Sequence, residues 1–275
     1  MEIMDIIREA FEFPSKNLGT FSIYVVLSLL SGAFSIYGMF LCMGGLINFG
    51  NFFMGVISLI IAVIIGVLLS GYSISLIKSG IKGSKEVPGF EWENNLSTGL
   101  NNVIVSIVYY IIPAIVVLIV GHLTNINGII ASIIRQMGTQ TTSIYMGSSN
   151  VFVTNTIPRL LADLSNSLAI TITIALIFFV IFSFLLIMAE GRLANTGNLE
   201  EALNIVEAAK DITRIGAGKV ISLIILVFAI IVFIELVSSA LFGLLPFLSS
   251  LSILVTPFIV FFTQRAIGLL YSDIA

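Results

Sequence analysis

Glu235 is a carboxylate set inside an otherwise apolar run, Val220 to Phe242, and Ser238 and Ser239 follow it at helical spacing. An ionised side chain at mid-bilayer costs about 2.5 to 3.5 kcal/mol on insertion scales, so such an acid is a candidate ion or proton site. Counting 1.5 Å per residue from Lys219 puts Glu235 roughly 24 Å in, toward the far interface of a ~30 Å hydrocarbon core. At that depth the carboxyl can equally be protonated, bonded to a serine or in reach of outer water. Sequence leaves both readings standing.

Other candidates sit where apolar runs meet polar sequence. Glu190-Gly191-Arg192 closes one run with opposite charges two residues apart, which do not share a helix face. They suit snorkelling anchors, or a guanidinium gripping a phosphate headgroup. Trp92 and Tyr72 are candidate headgroup-zone aromatics. Pro113 and Pro257 fall inside apolar runs, where a proline either opens carbonyls for ion coordination or kinks a helix whose neighbours satisfy it.

Enzyme chemistry has little to work with. There is one cysteine, Cys42, and one histidine, His122, so no intrachain disulfide, CxxC pair or Cys-His metal cluster is expected. No H-E-x-x-H or G-x-S-x-G occurs, and Asp5, Asp163, Asp211 and Asp273 all fall outside the apolar runs. A non-enzymatic chain without a cofactor or metal is the expectation.

The elements that carry these residues must lie in lipid. Hydrophobic residues make up 58% of the chain and charged residues 10%, whereas soluble domains carry roughly a quarter charged residues. Twelve basic residues spread over 275 cannot build a nucleic-acid face. Ile3, Ile7, Ala10 and Phe11 recur at helical spacing before Pro14, giving a short amphipathic helix that is retained and, with its acidic face, packs on protein rather than on anionic lipid.

Six spans are expected in one membrane domain over 1–275. Residues 1–14 form an interface helix, 18–77 a first helical hairpin, 78–100 a cytoplasmic loop and 101–189 a second hairpin with an outer loop at 121–156. Residues 190–219 form a cytoplasmic loop and helix, and 220–270 a third hairpin. Within the outer loop Ile126, Ile129, Ile130, Ile133, Ile134 and Met137 make one helical stripe. Asn198 and Glu201 form a capping-box pattern for a helix with Leu199, Leu203 and Val206 on its apolar edge.

In this arrangement Arg8, Lys16, Lys78, Lys82, Lys85, Arg192, Lys210, Arg214, Lys219 and Arg265 fall on one side, and Arg135 and Arg159 on the other. The excess predicts cytoplasmic termini in a cell-membrane protein. Charged segments with a glycine step precede the first, third and fifth spans, suggesting three related hairpins.

Gly71-Tyr72, the run Pro88-Gly89-Phe90-Glu91-Trp92, and Gly99 leading into Tyr109-Tyr110-Ile111-Ile112-Pro113 carry a resemblance. The chain resembles an uncharacterised family of archaeal and bacterial multi-pass membrane proteins, the domain of unknown function four thousand and thirteen, over about residues 60 to 270. The resemblance implies an all-α membrane fold of six-helix class, marks Gly71, Pro88, Gly99 and Pro113 as structural, and brings no substrate or catalytic residue. The leading reading is therefore a protein that organises membrane or binds lipids or a cytoplasmic protein partner. A small-solute or ion transporter using Glu235 is the alternative.

Overall fold

A computed structural model describes residues 1–44, 49–145, 156–244 and 251–275, with the backbone alone for 138–145 and 156. Among the described residues all regular structure is helical. The helices are α1 (Ile3–Glu12), α2 (Leu18–Gly44), α3 (Phe49–Ile81), α4 (Trp92–Leu123), α5 (Ile126–Tyr145), α6 (Thr156–Thr196), α7 (Leu199–Ala202), α8 (Ile205–Ile215), α9 (Ala217–Leu244) and α10 (Ser252–Tyr271). Six of them, α2, α3, α4, α6, α9 and α10, are long and apolar enough to cross a membrane. Every backbone amide in lipid needs an internal partner, and a helix supplies one within the segment.

The chain divides into two compact units. One comprises Met1–Ser106 with Leu185–Ala275, the other Ile107–Phe184.

The larger unit is organised around α3, which meets three neighbours at glycines. Near its start, a Cβ on Gly55 would lie 2.9 Å from the Gly38 carbonyl of α2. In its middle, a Cβ on Gly71 would overlap the Asn95 carbonyl of α4, and one on Gly99 the Val67 carbonyl of α3. Near its end, a Cβ on Gly80 would lie 2.8 Å from the Gly268 Cα of α10. Lipid tails are as apolar as leucine, so helices gain little from burial against each other and depend on close van der Waals approach. Only glycine permits the backbone contact of α3 with α4 and α10.

An aromatic cluster fills the space beside these crossings. Phe13, Tyr24, Tyr72 and Phe261 are buried together with Leu68, Leu69 and Leu76. Tyr24 meets Phe261 edge-on at 5.4 Å, and Phe90 stacks on Tyr72 at 5.1 Å. Helix α1 ends in a 3-10 turn at Pro14, as the spacing predicts, but its buried face is Ile6 and Ala10, with Ile3 and Ile7 half-buried and Phe11 exposed.

The smaller unit holds the second part of α4, α5 and the first part of α6. Asn125 links α4 to α5 at φ 55°, a left-handed conformation that asparagine tolerates better than most residues. Ser167 donates to the Thr124 carbonyl at 3.0 Å, and Tyr110 stacks on Phe179 at 5.0 Å. Pro113 lies within the continuous helix α4 and lines, with Tyr110 and Phe179, an apolar recess of about 480 Å³. The stripe from Ile126 to Met137 lies on α5. The remainder of the expected outer loop, 146–155, lies outside the described residues.

Two sequence expectations shift in detail. The spans overrun their predicted ends, α3 reaching Ile81 and α6 reaching Thr196. The segment after Asn198 forms two helices rather than one, because Asn204 supplies a second cap. Asn198 Oδ1 accepts from the Glu200 amide at 2.9 Å, and Asn204 Oδ1 from the Glu207 amide at 3.1 Å. Val206 consequently stands exposed on α8 instead of on a shared apolar edge.

Candidate functional site

Polar side chains of the larger unit converge at one end, where α3, α6 and α10 finish and α9 begins. Asp211 on α8 is its centre. The residue is 1% exposed. Its Oδ2 accepts from Arg192 Nη1 of α6 at 2.8 Å and from the Tyr271 hydroxyl of α10 at 2.8 Å, while Oδ1 accepts from Arg214 Nη1 at 2.8 Å. A buried carboxylate survives desolvation only when its lone pairs are filled by charged or polar donors, as here. Gly191 sits against the Tyr271 ring, where a Cβ would collide, so the glycine beside Arg192 lets α10 approach.

A second lock ties α1 to α10. Arg265 is 0% exposed, and its guanidinium pairs with Glu9, donates to Ser79 Oγ at 3.1 Å and lies over the Phe13 ring at 4.3 Å. Its Nε has no hydrogen-bond partner. Desolvation strengthens the cation–π contact as well as the ion pair. A third pair, Lys219 with Asp273, joins the start of α9 to the second residue after the last helix, and the N-terminal amine reaches the same carboxylate at 3.3 Å.

The residues singled out by sequence fall into different places. Arg192 spends its guanidinium on Asp211 and Glu201. Glu190 faces the Asn102 amide, which in turn donates to Ser70 Oγ at 2.9 Å. Tyr72 is buried and its hydroxyl donates to the Pro88 carbonyl at 3.0 Å, so Gly71, Tyr72, Pro88 and Gly99 form one connected joint between α3 and α4. Trp92 is 58% exposed and meets Phe90 edge-on at 4.9 Å. Glu235 is exposed on α9 and has no hydrogen bond or ion pair among the described residues, with Ser239 exposed and Ser238 half-buried beside it. Pro257 is buried inside a continuous α10.

Sequence reasoning missed the roles of Asp211, Arg265, Glu9 and Tyr271. Arg265 lies 256 residues from Glu9, and no local pattern announces that pairing. The available signal was an arginine interrupting the apolar residues of α10.

These features define an all-α, multi-pass membrane protein whose larger unit gathers buried ion pairs at one end. The chain belongs to the family described as protein of unknown function DUF4013, whose family model matches residues 54–243. Glu9, Arg265 and Tyr271 lie outside the matched residues. No curated protein and no solved structure matches the chain.

Proposed function

We propose that this is a non-enzymatic membrane-organising protein that holds lipids or the helices of partner proteins against the open flanks of its spans, with its ion-paired end in the cytoplasm. The observation that carries the reading is the flank of α9. Ile221, Ile225, Phe228, Val232 and Leu236 recur at helical spacing and all stand exposed, so one continuous apolar stripe is left for an outside occupant. The ten-to-two division of basic residues supports the orientation. At that end Asp211, Arg265 and Asp273 all have fixed partners, which suits a rigid anchor better than a moving ion path.

Photocrosslinking from Phe228 and Phe233 of the full chain in its native membrane tests the proposal. Discrete protein adducts, or enrichment of particular lipids, are expected. Uncatalogued background at both positions, together with solute flux in proteoliposomes that Glu235→Gln abolishes, would replace this reading with transport.

A further inference from the structure

Beside the Arg265 lock lies a cleft of about 400 Å³ in which the charges are not committed to one another. Ser75, Lys78 and Ser79 at the end of α3, with Lys82 just beyond it and its amide still bonded to the Lys78 carbonyl at 3.1 Å, line one wall at offsets 0, 3, 4 and 7. The opposite wall is the segment from Ser84 to Glu91. It is held in place by a tight helix stop: Gly83 at φ 62°, with its amide bonded to the Gly80 carbonyl at 3.0 Å and the Ser84 amide to the Ser79 carbonyl at 3.0 Å. Tyr72, bonded to the Pro88 carbonyl, pins the far side. The walls are therefore preformed.

The lining carries both signs, Lys78 and Lys82 against Glu86 and Glu91. Neither ammonium has a hydrogen bond or ion pair among the described residues, nor does the Glu86 carboxylate, while Glu91 accepts only from Asn94 at 3.1 Å. At the same end Arg192, Arg214, Lys219 and Arg265 are all paired. A purely anionic ligand would satisfy the lysines but lie beside two carboxylates. A ligand with both a phosphate and a primary amine satisfies both sets, the phosphate accepting from Lys78 and Lys82 and the amine donating to Glu86 and Glu91. The cleft opens where the α3 span ends, next to the exposed Trp92, an aromatic of the type enriched at the headgroup level.

We infer that this cleft binds the headgroup of an aminophospholipid of the phosphatidylethanolamine type. The inference rests on the membrane-organising reading only for the presence of lipid at this boundary.

Native mass spectrometry of the full chain, exchanged in detergent with equal amounts of phosphatidylethanolamine, phosphatidylcholine and phosphatidylglycerol, tests it. Phosphatidylethanolamine should be retained at least about tenfold over phosphatidylcholine, which is tenfold in an equilibrium constant. Glu86→Gln with Glu91→Gln, which removes the acceptors for the amine, should abolish that preference, while Lys85→Gln, outside the cleft, keeps it. Equal retention of the three lipids, preference for phosphatidylglycerol, or indifference to the double substitution would overturn the inference. Binding of free phosphoethanolamine with no retained lipid would assign the cleft to a soluble ligand and overturn the lipid source. Crosslinks from α9 would persist in each of these cases, so failure here leaves the broader reading separately testable.

Discussion

The two ends of α3 follow opposite rules. From Leu68 to Gly80 most of its residues are buried, glycines admit α4 and α10 to backbone contact, and Ser79 takes part in the Arg265 lock. From Phe49 to Ile64 it packs on α2 but leaves Phe53, Ile57, Ile60 and Val63 open. The same division recurs in α9, buried at Val220, Leu223 and Val227 with no buried residue from Phe228 to Leu244, and in α10, buried from Phe261 to Tyr271 with Thr263 and Gln264 half-covered. Apolar sequence alone does not separate the two ends, since both are hydrophobic. What differs is that one end meets two further helices, α4 and α10, at glycines and adds paired charge, whereas the other has the Gly55–Gly38 contact with α2 alone, and in lipid such additions favour a particular packing.

The sharpest way to break this contrast is at Asp211. Removing it by Asp211→Ala leaves the largely buried Arg192 with only the longer ion pair to Glu201 at 3.8 Å, and loss of one member of a buried pair costs up to about 3 to 5 kcal/mol. Denaturant unfolding in detergent micelles should read that loss, and unchanged stability would mean the ion-paired end is ornamental. Next in size is the α3–α4 crossing. Gly99→Ala drives a methyl into the Val67 carbonyl and should cost about 1 to 3 kcal/mol. Gly66→Ala, with open space around its Cβ, should be neutral or slightly stabilising in the same assay. Equal effects at the two glycines would contradict the assigned crossing.

A smaller effect comes from acid. Burial pushes the Asp273 carboxyl up, but hydrogen bonds from Lys219 and the N-terminal amine outweigh it and hold the group below its ordinary value of 3.8. A depressed carboxyl stabilises fully above the unfolded value and loses that contribution as pH falls through the folded one. Acidification below about 3.8 should therefore remove up to about 1 kcal/mol, given the partial exposure of the pair. Asp273→Asn should flatten that part of the stability–pH curve.

Much of the fold was legible because membrane crossing imposes a simple rule. Length and apolarity located all six spans, and Ile3, Ile7 and Ala10 against Pro14 located α1. Span ends were less readable, since α3 continues through Lys78 and α6 through Arg192, and charged residues at a helix end look like loop. Gly71, Pro88 and Gly99 were marked by resemblance, but their meeting required the third dimension. The locks at Asp211 and Arg265 were hidden for a physical reason: each joins elements distant in sequence, and a buried pair looks locally like two surface charges. Glu235, prominent in sequence, stands outside those networks.

The contrast between the two ends of α3 can be measured within that one helix. Leu76 is 0% exposed and Ile60 is 54% exposed. Unfolding of the purified full chain in mixed micelles should show Leu76→Ala losing about 1 to 3 kcal/mol, mainly a cavity penalty because lipid offsets the transfer term, and Ile60→Ala changing by less than about 0.5 kcal/mol. Equal losses, or a larger loss at Ile60, would contradict an account in which one end is locked and the other stands open.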